Sequence, residues 1–94
     1  MKVSDEILGE ISFVSISTYR TNVMKTLYGE VKMPSKISKD IGIRTNHVST
    51  ILIQLKKHNL VECVNPEARK GRIYRLTDKG EKVVENMPNY NFFD

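Results

Sequence analysis

Residues 33–76 do most to limit what this chain can fold into. Pro34 suits the first turn of a helix, where its missing N–H is no loss, and Ile37 and Ile41 give that short helix one apolar face. Gly42 then allows the left-handed backbone that a tight turn between two helices needs. A second helix follows, with Thr45 placed to cap it and Val48, Ile51, Leu52 and Leu55 forming an i, i+3, i+4, i+7 stripe. It is expected to run to about His58, where Asn59 can take the left-handed conformation that closes it. Residues 60–65 are rich in β-formers, and Arg72, Tyr74 and Leu76 alternate against Ile73 and Arg75. The residues between, 66–71, have turn chemistry, so the two stretches predict a hairpin with a moderately long loop.

The flanks supply helices to pack against this unit. Ser4 or Asp5 can cap a first helix on which Ile7, Leu8, Ile11 and Val14 share a face, and Ser15, Ile16 and Ser17 interrupt it. Ser17 caps a second helix in which Tyr19, Val23 and Leu27 stack with Met24 and Tyr28 beside them, until Gly29 ends it. Residues 31–33 can pair as a minor strand with the later hairpin. Thr77 caps a last helix carrying Val83, Val84 and Met87, and Pro88 marks its end. A six-residue tail, 89–94, with Tyr90, Phe92 and Phe93, is too short to fold alone. The predicted class is α+β, mostly α: one domain over 1–94, a helix-turn-helix with a β-hairpin wing and flanking N- and C-terminal helices.

The charge is concentrated on the same segment. Between Lys32 and Arg72, nine basic residues face only Asp40, Glu62 and Glu67, a net +6, whereas the whole chain carries +4 and each flank is slightly acidic. A local basic field suits phosphate, because each phosphate neutralised releases condensed counterions.

Other function classes find little support. A chain of 94 residues supports one modest core, and 39% apolar content with no tryptophan limits the buried surface, so part of the stability is expected from a partner subunit. No apolar run reaches the roughly 20 residues that span a bilayer, and the N-terminus lacks a signal peptide's apolar core, which predicts a cytoplasmic protein with no membrane partner. One cysteine, Cys63, fits a reducing compartment and cannot form an internal disulfide. His47 and His58 lie eleven residues apart on one predicted helix. At about 1.5 Å per residue that is roughly 16 Å, too far to share a metal ion. No metal site and no cofactor is expected. Without a glycine-rich phosphate loop, a serine elbow or an acid beside a histidine in an apolar pocket, an enzyme is not expected either. The chain also has no spare domain for a small-molecule effector.

The candidate contacts follow from where a helix meets a DNA groove. An α-helix fits the major groove of B-DNA, and its N-terminal residues reach base edges. Here those are Thr45, Asn46, His47, Ser49 and Thr50. Asparagine can bond an adenine edge in two places, histidine can donate to guanine N7, and threonine methyls can meet a thymine methyl. Lys36, Lys39 and Arg44 sit where the preceding helix and the turn would cross the backbone. At the hairpin tip, Arg69, Lys70 and Arg72 surround Gly71 and can reach a phosphate strand or a narrow minor groove. Lys56 and Lys57 are weaker candidates, since a helix dipole favours cations in the last turn without any ligand.

These residues resemble a known family. Ile41-Gly42-Ile43, Thr45-Asn46-His47-Val48-Ser49, Leu52 and Leu55, Lys57-His58-Asn59-Leu60-Val61 and Tyr74-Arg75-Leu76-Thr77-Asp78-Lys79-Gly80 are similar to the winged helix-turn-helix of MarR- and ArsR-like transcriptional regulators, nearest to their short archaeal members. The likeness runs from about Ser17 to Glu85. It implies a winged helix, sequence-dependent binding of double-stranded DNA and a homodimer joined by terminal helices. Three positions depart from the pattern: Arg44 stands where the family often has serine and Thr50 where it often has arginine, while Met33 replaces a usual threonine cap. Ile53, apolar on the face opposite the stripe, and the aromatic tail fit a subunit interface or, alternatively, a winged helix used as a protein-contact adaptor in a transcription complex.

Overall fold

A computed structural model describes residues 4–87 of the chain. Pro88 and the tail residues Tyr90, Phe92 and Phe93 lie outside the described residues. The element order is α1 (Asp5–Ser15), α2 (Thr18–Leu27), α3 (Pro34–Ile41), α4 (Thr45–Lys57), β1 (Val61–Cys63), β2 (Tyr74–Leu76) and α5 (Asp78–Glu85). This is the expected mostly helical winged helix-turn-helix.

The starts of α1, α2 and α5 are set by hydroxyls. Ser4 Oγ accepts from Ile7 N at 3.2 Å, Ser17 Oγ from Arg20 N at 3.2 Å and Thr77 Oγ1 from Gly80 N at 3.0 Å. Each satisfies a first-turn N–H that the helix itself cannot pair. Asp5 and Glu6 add negative charge to the first turn of α1, where the helix dipole favours it. At the other end of α4, Asn59 takes a φ of 59°. Its N–H reaches Lys56 O at 2.9 Å while Leu60 N–H reaches Leu55 O at 3.0 Å, the paired closure expected of a left-handed residue after a helix.

One core holds the elements together. Val23, Met24 and Leu27 of α2 are fully buried in its middle, against Val14 of α1, Ile37 of α3, Val48 and Leu55 of α4, Leu60 and Val61, and Val83 and Val84 of α5. The predicted apolar faces therefore point inward with two exceptions. Leu8 is 51% exposed and Tyr19 48% exposed. Both sit at the margin of their helix stripe, where four-residue spacing drifts off a 3.6-residue period.

Gly80 marks the closest approach in the core. A Cβ there would lie 2.1 Å from the Leu60 carbonyl oxygen and 3.3 Å from Leu76 Cβ, so only glycine lets α5 seat on the start of β1 and the end of β2. The strands pair antiparallel, Val61 with Leu76, Glu62 with Arg75 and Cys63 with Tyr74. They are shorter than the alternation suggested. Lys32 adds the expected minor strand: its N–H reaches Tyr74 O at 3.0 Å and Tyr74 N–H reaches Lys32 O at 2.8 Å.

A polar and aromatic cluster fastens α1 to the rest. Glu10 meets His58 Nδ1 and Lys79 Nζ, each at 2.7 Å, and Lys79 also reaches Glu6 at 3.0 Å. Phe13 stacks on His58 with ring centroids 3.6 Å apart, and the Arg20 guanidinium lies 4.1 Å from the Phe13 ring. Arg20 also donates to Gln54 Oε1 and to the Phe13 carbonyl. Burial of Glu10 favours its neutral form, but the hydrogen bonds from Lys79 and His58 together outweigh it and hold the carboxyl below its ordinary range. The Glu10 hydrogen bond and, against some desolvation, Glu6 raise Lys79.

Candidate nucleic-acid interface

The turn between α3 and α4 is closed on one residue, through its carbonyl and its hydroxyl. Gly42, at φ 76°, donates its N–H to Ser38 O at 2.8 Å, Ile43 N–H reaches the same oxygen at 3.3 Å, and Ser38 Oγ donates to Ile43 O. Ser38 thus sets the angle at which α4 leaves α3. Thr45 is not the cap expected of it. The chain enters α4 through Arg44, whose extended backbone (φ −69°, ψ 148°) makes it the capping residue without a side-chain bond, and Thr45 is the first helical residue. Met33 likewise precedes α3 with no side-chain cap.

Helix α4 divides into a buried stripe and an exposed polar end. Val48, Ile51, Leu52 and Leu55 are buried, whereas Arg44, Thr45, Asn46, His47, Ser49 and Thr50 are all exposed. Within that end, Asn46 Oδ1 accepts from His47 N at 3.0 Å and Thr50 Oγ1 donates to Asn46 O at 3.2 Å. The amide nitrogen of Asn46 and the hydroxyl oxygen of Thr50 stay open to a partner. His47 is held from the side by Tyr19 of α2, edge-on with centroids 4.8 Å apart. Sequence reasoning placed Tyr19 only in the core stripe. Tyr19 lies at the surface beside a candidate reader, a position that spacing along α2 could not reveal.

The cations sort by whether an acid already holds them. Asp40 binds Lys32 at 2.6 Å and Lys36 at 2.9 Å, the second an i, i+4 pair on α3. Those two ammonium groups hold the Asp40 carboxyl down to about 2, so it stays ionised. Lys36 is therefore partly neutralised. Lys39, Arg44, Arg69 and Lys70 are exposed and form no ion pair among the described residues. On the hairpin's outer side Arg75 pairs with Glu62 at 2.7 Å.

The wing lies beside α4. A groove of about 400 Å³ is lined by Met33, Pro34 and Ser35 at the start of α3, Thr45 and Ser49 on α4, and Arg69, Gly71, Arg72 and Tyr74 on the hairpin. It brings together the helix end and the wing that the sequence had placed some twenty residues apart. Two of the three wing cations, Arg69 and Lys70, are exposed and form no ion pair among the described residues. The third, Arg72, has its Nε on Ala68 O at 2.7 Å and an Nη2 on Pro66 O at 3.1 Å. Among the described residues no group of three histidine, cysteine or acidic side chains is placed to hold a metal ion, and no helix is long and apolar enough to cross a membrane.

No protein-family model and no curated protein matches this chain. Its structure is similar to that of NadR in complex with 4-hydroxyphenylacetate, at a TM-score of 0.70 and 20% identity over 90% of this chain. That match spans 62% of the NadR chain. It is similar also to a C30AH42A mutant of Lactococcus lactis ZitR, at a TM-score of 0.69 and 16% identity over 95% of this chain and 73% of that one. A third likeness is to the homodimeric winged helix-turn-helix DNA-binding domain of Mb0332 from Mycobacterium bovis, a possible ArsR-family transcriptional regulator. It has a TM-score of 0.62 and 22% identity, over 90% of this chain and 81% of that domain. The two neighbours with a named organism are bacterial, so the expected nearness to archaeal members finds no support among them. At these identities the likeness establishes the fold, and this chain has the architecture of a winged helix-turn-helix.

Proposed function

We propose that this chain is a regulator of transcription that binds double-stranded DNA in a sequence-dependent way. The exposed end of α4 enters the major groove, with Thr45, Asn46, His47, Ser49 and Thr50 toward base edges. Lys39 and Arg44 meet the sugar-phosphate backbone, with Lys36 a weaker contact because Asp40 shares its charge. The wing sets Arg69 and Lys70 on the backbone or in the minor groove.

One observation carries this reading. Thr45 and Ser49 of the exposed end of α4 and Arg69 of the wing line one groove with no acid in its lining, and the only acid on α3, Asp40, is already held by two lysines. A surface folded merely for solubility would intersperse the two signs. The test is titration of the chain against random duplex DNA at two salt concentrations. Binding that weakens steeply with salt is expected, and no binding at low salt would overturn the reading.

A homodimer fits this use, because one short recognition helix gains affinity when two copies read two half-sites. Exposed Leu8 on α1 and Ile16 just beyond it, 82% exposed, give that helix apolar surface for a second copy. Sedimentation should then report twice the mass of one chain. The adaptor reading rests on Ile53, 58% exposed on α4. It predicts that Ile53→Asp leaves DNA affinity intact while abolishing a protein contact.

A further inference from the structure

We propose that Asn65 and Arg72 are positioning residues that clasp the wing into its DNA-competent shape, leaving Arg69 and Lys70 as the wing's contacts. The inference rests on the reading that the wing meets duplex DNA.

The loop between β1 and β2 is too long to be shaped by strand pairing alone. Beyond Cys63 and Tyr74 the backbone contributes Val64 N–H to Ile73 O at 2.8 Å and, within the loop, Ala68 N–H to Asn65 O at 3.0 Å. Two side chains do the rest. Asn65 uses both ends of its amide: Oδ1 accepts from Ile73 N at 2.9 Å, and Nδ2 donates to Gly71 O at 3.1 Å. The Cys63 thiol also points at Oδ1, 3.6 Å away. Asn65 therefore stands in for a missing pair of strand residues and joins the base of the loop to its tip.

Arg72 makes the second set of bonds across the loop. Its guanidinium binds the carbonyls of Pro66 and Ala68, the two residues that carry the chain away from β1. A guanidinium fork suits two carbonyls at once, and an ammonium cannot reproduce that geometry. Together the two side chains fasten residues 65–68 to residues 71–73 and leave Arg69 and Lys70 at the apex. Pre-ordering the tip in this way removes conformational entropy that binding would otherwise have to overcome.

The two roles for Arg72 differ in what a lysine can do. A point-charge contact to phosphate is largely kept by Arg72→Lys, whereas the clasp is lost. Duplex affinity and its salt dependence, together with amide hydrogen exchange in the DNA-free chain, would be compared for wild type, Arg72→Lys, Asn65→Ala and Arg69→Ala. With the clasp, Arg72→Lys and Asn65→Ala each speed exchange at Ala68 and Ile73 by about tenfold, the scale of one net hydrogen bond. Each also weakens DNA binding several-fold while the salt slope stays at the wild-type value. Arg69→Ala does the reverse, lowering the slope by about one and leaving exchange unchanged.

Wild-type affinity in Arg72→Lys and Asn65→Ala would overturn the proposal. Lost affinity in Arg72→Lys with exchange at Ala68 and Ile73 unchanged would also overturn it, since the guanidinium would then be binding DNA through its own fork. If wild type itself binds no duplex, the DNA reading fails and with it the clasp's purpose. The exchange rates would still report whether the loop is held.

Discussion

Helices α1, α2 and α5 each begin on a hydroxyl that takes up a first-turn N–H, whereas α3 and α4 begin on Met33 and Arg44, which take up none. The same division runs through the charges. On the α1 and α5 side, Glu6, Glu10, His58 and Lys79 satisfy one another, while around α4 and the wing Lys39, Arg44, Arg69 and Lys70 have no acid among the described residues. One region has its polar groups answered internally, and the other leaves them open. On the proposed reading, the difference separates where stability resides from where DNA would bind. Substitutions in the first region should move stability alone, and removal of the unpaired cations in the second should move affinity alone.

The largest expected effect tests the first half of that statement. Gly80→Ala forces a methyl against the Leu60 carbonyl, and overpacking against backbone should cost about 3 kcal/mol in chemical denaturation. The DNA affinity of the molecules that remain folded should not change. The converse substitution, Arg69→Ala with Lys70→Ala, should leave the denaturation midpoint in place. It should weaken duplex binding by about tenfold or more near physiological salt and lower the salt slope by about two, which titrations at several salt concentrations would measure. A lowered midpoint would show that the wing belongs to the stabilising region after all.

Adding a cap where none exists probes the boundary between the regions. Met33→Ser should give α3 the hydroxyl it lacks and raise stability by about 1 kcal/mol. Affinity should stay within about twofold of wild type. A larger loss would mean that the open N–H groups of α3 are themselves ligands for phosphate.

The smallest effect concerns acid. Glu10 has a carboxyl held below its ordinary range in the folded chain. The hydrogen bonds its carboxylate accepts therefore stabilise the fold fully above the unfolded carboxyl's range, and that contribution disappears as pH falls through the lower folded value. Glu10→Gln should flatten this part of the stability profile between neutral and acid pH. Asp40, held at about 2, should keep its two lysines until the solution is far more acidic.

Much of this was legible from residue chemistry. Gly42 and Asn59 announced left-handed turns, Thr77 announced a helix start, and residues 31–33 were placed against the hairpin that Lys32 in fact meets. Each of these depends on local backbone preference, which a sequence carries directly. What escaped depends on the path the backbone takes. Thr45 looked like a cap because it is the right residue type, but the N-cap is whichever residue holds extended backbone, and that is Arg44. The Lys36 and Asp40 pair could have been found from its i, i+4 spacing. The Asn65 and Arg72 bonds could not, since the path of the loop is settled only once both strands are placed.

Two histidines, one on α4 and one just beyond it, show how the helix proposed to read DNA is mounted. His47 near one end bears on the Tyr19 ring of α2, and His58 just past the other end lies flat on the Phe13 ring of α1. The helix is journalled at both ends, like a shaft between two bearings. Rolling it about its own axis would unseat one ring or the other, so α4 has little freedom to adjust its reading face alone. Any change of fit to a groove must then come from moving the domain as a rigid body, and a signal acting on α1 would reach the reader as a shift of position and leave its shape unchanged.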